Sequence, residues 1–359
     1  MYSRELDKAD GRKLSLYSRR PIDGAIPPSL LDAPQGINPH LRWQPLRGEW
    51  VAYAAYRQTR TFHPPPAYNP FLPSANLANP TELPVGDYDI AVFDNRFPAL
   101  TALAHDAPKR LVDTLPARGQ CEVVVFTQDP DTALGRLPLD HIELLLEVWG
   151  RRTEVLAQRD DVRYVLPFEN RGAEVGVSLH HPHGQLYAYP FIPPVPQSMQ
   201  DNEAAYFKSV GSPLLQDLIE TEIESRERLL YLGSQAVAFV PSWARYPYEV
   251  WVAPIKATSA FSTLTEAQRT DLARALKTVL LKYDGLWQRP FPYLMAWYQA
   301  ALDGESHPET HLHAEFYPPY RAADRLKYLA GTELAAGMFA NDALPEEKAK
   351  ELQAVEVVL

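Results

Sequence analysis

Six of the ten histidines in this sequence fall in two short segments, at His180, His181 and His183 and again at His307, His311 and His313. The first segment continues as His181-Pro-His-Gly-Gln185. Residues two apart on a strand share a face, so His181, His183 and Gln185 are expected to point together. Gly184 between them leaves room for a large group to approach the backbone. A neutral imidazole is a nucleophile near pH 7, and an adjacent amide can hold a nonbridging phosphate oxygen as charge redistributes. The chemistry that suits this set is attack on phosphorus, with His183 as the attacking group and Gln185 beside it. Just upstream, Phe168-Glu-Asn-Arg-Gly-Ala-Glu-Val-Gly-Val-Ser178 offers Gly172 and Gly176 for tight turns and a hydroxyl at Ser178. Such a loop can wrap a phosphate or ribose. Metal binding or a chance surface cluster is the plainer reading of grouped histidines. A glycine loop and His-Pro-His-Gly-Gln together within residues 168–185 weigh against it.

These groups need elements to hold them. Residues 50–57, 88–95, 121–127 and 162–168 read as strands, and the segment from His181 to Ile192 as the strand carrying the cluster. Residues 140–159 have apolar positions at helical spacing, whereas residues 1–45 read as an irregular arm and 61–80 as a proline-rich, aromatic loop. The second half replays this order. A hairpin is expected at 236–255, a helix at 264–287 capped by Thr263 or Thr265, a strand at 292–300, and then His311-Leu-His-Ala-Glu-Phe-Tyr317, which matches the frame of His181-Pro-His-Gly-Gln-Leu-Tyr187. Lacking the Gly-Gln pair, this degenerate second copy is not expected to be a second active site. The boundary is expected near 193–205, giving domains of 1–195 and 196–359, each α+β with an antiparallel sheet flanked by helices.

Composition narrows the function classes. Hydrophobic residues make up 46% of the 359 and charged residues 22%, enough for a folded core, while 34 prolines limit long helices. A formal net charge of −10 argues against a general nucleic-acid binder, though not against a small phosphorylated substrate. The single cysteine, Cys121, rules out intramolecular disulfides and thiolate metal clusters. The N-terminal residues show no apolar signal region and no apolar run is long enough to span a bilayer, so a cytoplasmic protein is expected.

From Phe168 to Gln185 the sequence resembles the galactose-1-phosphate uridylyltransferases of the histidine-triad superfamily. Further blocks of resemblance lie at 42–60, 92–100, 118–130, 240–254, 311–319 and 325–334. The resemblance implies a duplicated histidine-triad (HIT-like) fold and a homodimer whose subunits share sites. It also implies ping-pong transfer of UMP from UDP-glucose to galactose 1-phosphate, a step of galactose metabolism, through a uridylyl-histidine. By position it assigns His183 as the nucleophile and Gln185 as its phosphoryl-steadying partner. Asn95, Phe97, Asn170, Gly176 and Ser178 become nucleotide contacts, and Arg57 and Arg60 phosphate-binding guanidiniums. Lys327 and Glu333 become sugar contacts reaching the neighbouring subunit. A solvated helix face is the plainer reading of that last pair, as ordinary surface charge is of the two arginines.

The sequence also departs from that pattern. Where many relatives hold zinc with a C-x-x-C pair and two histidines, this chain has Pro70-Phe-Leu-Pro73, about Pro130, and His181 alone. Where some hold a second metal, an iron, it has Met199, Tyr298, His313 and Glu315. One imidazole does not make a tetrahedral site, so neither metal, and no other cofactor, is expected. After Glu333 the chain reads Leu-Ala-Ala-Gly-Met-Phe339, which leaves the acceptor sugar open and Phe339 as core. An adenylyl-type nucleotide-sugar phosphorylase on the same scaffold, or a non-catalytic nucleotide-binding protein, remain the rival readings.

Overall fold

The computed structural model describes residues 1–27, 36–59, 68–74, 80–177 and 179–359. The first half supplies β1 (Tyr2–Asp7), β2 (Lys13–Ser18), β3 (His40–Gln44), β4 (Glu49–Tyr53), β5 (Pro73–Ser74), β6 (Leu83–Pro84), β7 (Ile90–Asp94), β8 (Thr114–Pro116) and β9 (Gln120–Val125), then α1 (Leu139–Ala157), β10 (Tyr164–Arg171) and β11 (His183–Tyr189). The second half supplies α2 (Pro194–Val210), α3 (Leu214–Ser225), β12 (Leu229–Leu232), β13 (Ala236–Phe239), β14 (Val250–Pro254), α4 (Glu266–Leu286), β15 (Tyr293–Tyr298), β16 (His313–Tyr317), β17 (Tyr320–Ala322), β18 (Arg325–Leu326) and α5 (Pro345–Gln353).

Eleven strands form one sheet in the order β1-β2-β7-β9-β11-β10-β15-β16-β14-β13-β12. Outward from its centre, β10-β11-β9-β7 on one side answers β15-β16-β14-β13 on the other, so the repeat seen in the histidine frames is a repeat of topology. The two sheets expected from sequence are continuous, because β10 and β15 pair antiparallel with Phe168 opposite Ala296 and Arg171 opposite Tyr293. The N-terminal arm is regular in part. β1 and β2 pair along their length and β2 adds to β7, with Leu14 and Leu16 buried on one face. The strand read at 50–57 ends at Tyr53 and gives way to a 3-10 turn over Ala55–Thr59.

One face of this sheet carries α1 and α4. α4 starts as a capping box, Thr265 accepting from the Gln268 backbone N–H at 3.2 Å while the Gln268 side chain returns to the Thr265 N–H at 3.0 Å. Thr265 is therefore the cap, and Thr263 closes the preceding 3-10 turn. Trp149 of α1, Phe261 and Trp297 of β15 meet with ring centroids 4.9–5.9 Å apart, burying the junction of the halves.

The opposite face is covered differently in each half. In the second, α3 lays Leu215 and Ile219 on Val237, Phe239 and Ala253, and α2 reaches the second histidine pair through Met199, Gln200 and Glu203. In the first, Phe71 and Leu83 pack on Leu14, Phe93, Val123 and Val125, and the small sheet β4-β3-β8 covers Cys121 and Leu100. Phe71 of this cover meets the His183 ring edge-on at 4.9 Å, and cavities remain beside the imidazole. Among the described residues no helix is long and apolar enough to cross a membrane.

Candidate active site

β11 alternates strictly. Gly184, Leu186 and Ala188 face the core, while His183, Gln185, Tyr187 and Tyr189 face outward. One expectation changes as a result. Gly184 does not open the backbone to substrate. It points inward, where a Cβ would stand 2.8 Å from the Phe126 ring and from the Phe168 carbonyl oxygen. His181 lies in the turn before β11, yet it borders the same cavity as His183 and meets the same Phe71 ring, and it is not exposed there. It is buried, with Nε2 donating to the Thr127 carbonyl at 2.7 Å and Nδ1 accepting from the Asn69 amide at 3.0 Å. Burial lowers its pKa and keeps it neutral.

His183 donates Nδ1–H to the carbonyl of His181 at 2.7 Å. That bond fixes the tautomer and makes Nε2 the nitrogen with the lone pair. His183 borders two cavities, of about 430 and about 460 Å³. The larger includes Arg57, Asn170, Gly176, Gln185 and Tyr187, and crosses the sheet junction to Ala296 and Tyr317. Gln185 accepts from Asn95 Nδ2 at 3.4 Å, and Asn95 Oδ1 accepts from the Phe97 N–H at 2.8 Å. The Phe97 carbonyl accepts from Arg57 at 3.2 Å, and Arg57 also donates to the Tyr187 hydroxyl at 3.3 Å. Five sequence candidates (Gln185, Asn95, Phe97, Arg57 and His183 itself) thus stand on one surface. With its carbonyl oxygen engaged by Asn95, Gln185 keeps its NH₂ to donate.

Asn170 lies two residues beyond Phe168, which is paired with Gln185, and so falls on the same face of β10. Gly176 has φ +79 and closes the turn over Ala173–Val175, a left-handed position glycine fits without strain. Arg60 and Ser178 lie outside the described residues. Lys327 and Glu333 border neither cavity beside His183. They are not a solvated helix face but a buried pair 3.7 Å apart. Lys327 donates to the Ala340 carbonyl, and Glu333 accepts from the Ala330 and Ala340 N–H groups at 3.0 and 3.3 Å. Phe339 is half-buried against Tyr246 and Arg245.

Sequence reasoning missed Tyr187, although its place four residues after His183 on one strand face was a usable signal. It also missed Glu169 and Glu203, carboxyls whose pKa values burial pushes up to about 7. A glutamate at an inward position of a strand is the signal for Glu169. Asn69 and Phe71 carried none, since they sit in a loop without periodicity.

The second half shows the same frame disarmed. His313 donates Nδ1–H to the His311 carbonyl at 2.7 Å, and His311 donates to the Pro254 carbonyl at 2.8 Å. Here, however, Trp251 and Tyr298 from the flanking strands stack on the imidazole at 4.9 and 5.4 Å. Nε2 meets Glu315 at 3.2 Å. Burial pulls the His313 pKa down, but the bond and charge of Glu315 outweigh it and the net shift is upward. A stacked, ion-paired ring cannot attack phosphorus.

Neither metal position of the relatives fits a metal here. Pro70 and Pro73 bring no donor atoms, and His181 Nδ1 is taken by an amide. In the second half His313 and Glu315 are paired to each other under two aromatic rings. Among the described residues no group of three or more His, Cys, Asp or Glu side chains could hold a metal ion.

Two family models match this chain: galactose-1-phosphate uridyl transferase, N-terminal domain, over residues 32–193, and the corresponding C-terminal domain over residues 199–358. The galactose-1-phosphate uridylyltransferase of Thermotoga maritima is 39% identical over 325 residues, covering 88% of this chain and 98% of that one. The enzyme of Rattus norvegicus is 33% identical, covering 88% and 87%. A solved uridylyltransferase superposes with a TM-score of 0.78 at 32% identity, covering 88% and 98%. An Arabidopsis thaliana ADP-glucose phosphorylase with bound ADP-glucose superposes with a TM-score of 0.66 at 25% identity, covering 89% and 100%.

Proposed function

Because this chain belongs to the galactose-1-phosphate uridylyltransferase family, and so exchanges UMP between UDP-glucose and galactose 1-phosphate, we propose that His183 carries the UMP. The observation behind this is the His183 imidazole, its Nδ1–H held by the His181 carbonyl and its ring on the cleft that Gln185 and Arg57 also line. Nε2 attacks the α-phosphorus of UDP-glucose, an N–P bond forms, and glucose 1-phosphate leaves with the electron pair of the broken P–O bond. A phosphate oxygen of galactose 1-phosphate then attacks the adduct and regenerates the imidazole.

Gln185 donates its NH₂ to a nonbridging oxygen during both displacements. Arg57, steadied by Phe97 and Tyr187, binds the phosphates together with Arg60. Asn95, Phe97, Asn170, Gly176 and Ser178 hold the nucleotide. Lys327 and Glu333 serve the sugar of the neighbouring subunit, so the working enzyme is a homodimer, and its place is the cytoplasm. No metal or other cofactor takes part in this scheme.

Intact-protein mass spectrometry after brief incubation with UDP-glucose tests the assignment. The parent is expected to gain the mass of one UMP and His183→Gly to gain nothing. An adduct on His183→Gly overturns the assignment. An adduct with ADP-glucose but not with UDP-glucose replaces the uridylyl donor with an adenylyl one.

A further inference from the structure

The two histidine pairs share their carbonyl contacts and differ at the remaining ring nitrogens. His183 and His313 each donate Nδ1–H to the carbonyl two residues earlier, both at 2.7 Å. His181 and His311 each donate Nε2–H to a carbonyl of the adjacent segment, Thr127 and Pro254. What meets Nδ1 of the first histidine then differs. In the second half, buried His311 Nδ1 has no hydrogen-bond partner among the described residues. In the first half the Asn69 amide donates to His181 Nδ1 at 3.0 Å. This contact belongs to the catalytic half alone.

We propose that Asn69 is a positioning residue for the transfer reaction, acting through His181 on the nucleophile His183. Asn69 Nδ2 and the Thr127 carbonyl hold the His181 ring from both nitrogens, which fixes the peptide whose carbonyl orients His183. The other end of the same amide accepts from the Phe71 N–H at 2.9 Å. That sets the Phe71 ring edge-on against His183 at 4.9 Å and against His181 at 6.1 Å. The loop carrying Asn69 is itself braced. The Glu82 N–H donates to the Pro70 carbonyl at 2.8 Å, Thr81 donates to the Leu72 carbonyl at 2.6 Å, and the buried Glu82 carboxylate pairs with Lys8 and Arg12. An organic clamp thus stands where relatives place zinc.

The clamp matters at the moment of attack. When Nε2 bonds phosphorus the ring becomes an imidazolium, its Nδ1–H becomes a stronger donor, and the His181 carbonyl bears more of the charge. Displacing that carbonyl by about an ångström misaims Nε2 and can cost on the order of a hundredfold in rate. The inference rests on the assignment of His183 as nucleophile.

Asn69→Leu, which keeps volume and removes both hydrogen bonds, and Asn69→Asp, which keeps shape and turns the donor into an acceptor, test it. Each is compared with the parent in single-turnover adduct formation, in KM for UDP-glucose, and in imidazole ¹⁵N NMR of His181. The expected result is a loss of about tenfold or more in adduct rate, with KM changed by less than about twofold, and a moved His181 Nδ1 signal. Should Asn69→Leu fail to fold, Asn69→Asp decides. An adduct rate within about twofold of the parent in a folded variant overturns the proposal. So does a drop in thermal midpoint with the rate per folded molecule unchanged. Failure of the parent to form an adduct at His183 would instead overturn the assignment on which the proposal rests.

Discussion

At the residue scale, chemistry was legible in the His-Pro-His-Gly-Gln frame but the partition of its residues was not. His183 and Gln185 share a face because they obey the period of β11, and Asn95, Phe97 and Arg57 join them through a chain of hydrogen bonds. Gly184 was misread because a glycine within the motif was credited to the ligand side, whereas it faces the core. The corrected role of Gly184 makes a prediction. A Cβ there meets the Phe168 carbonyl of β10 at 2.8 Å, and that backbone is tied into the sheet on both sides. Gly184→Ala is expected to lose roughly 1–3 kcal/mol of stability, the usual cost of overpacking, measured as a lowered urea midpoint. Adduct formation below the unfolding transition should survive, since the methyl lies on the face away from the cleft. An unchanged midpoint would mean that β11 shifts freely, which its place between two strands opposes.

At the element scale, what could be read was what repeats locally. α1, α4 and the strands carrying the histidine frames follow from periodicity, and the Thr265 cap from its Gln268 partner. β12 was missed because it is only four residues long, and the β1–β2 hairpin because polar residues interrupt its strands. The β10–β15 junction could not be seen at all, because pairing between strands so distant in sequence leaves no local pattern. That junction holds Glu169, which accepts from the Tyr293 hydroxyl across the two strands at 2.9 Å, near the Arg171–Asp284 ion pair. Burial raises its pKa to about 7 from an ordinary 4.5, against the pull of Arg171 and Tyr293. The folded state therefore holds this proton more tightly than the unfolded chain. The resulting stabilisation is complete below about pH 4.5 and is lost as pH rises through about 7. Its ceiling is roughly 3 kcal/mol at 1.36 kcal/mol per unit. The parent's urea midpoint should fall between pH 5 and 8, and Glu169→Gln should flatten part of that fall. An identical slope in the variant would show that Glu169 does not titrate there.

At the scale of the whole molecule, two similar halves diverge in what covers them. α2 closes the second histidine pair off and aromatic rings complete its burial, while cavities remain beside His183. Among the described residues, neither Lys327 nor Glu333 borders the cleft of its own chain. Lys327 and Glu333 are braced in a C-terminal segment away from it, and that segment exposes Tyr328, Leu334 and Met338, an apolar surface suited to a second subunit. If the segment completes the partner's cleft, two dead enzymes should make a live one. His183→Gly lacks the nucleophile but keeps the segment; Lys327→Ala loosens the segment but keeps the nucleophile. Dissociated, mixed in equal amounts and reassociated, they form heterodimers in which one of the two sites receives both intact parts. Random pairing makes about half the dimers mixed, so about a quarter of the parental sites should return, as expected for a symmetric interface shared by two copies. Activity no greater than the sum of the separate variants would place the segment's action within its own chain. The sugar would then have to be held by residues already on the cleft, which Leu294, Met295, Ala296 and Tyr317 line from the second half.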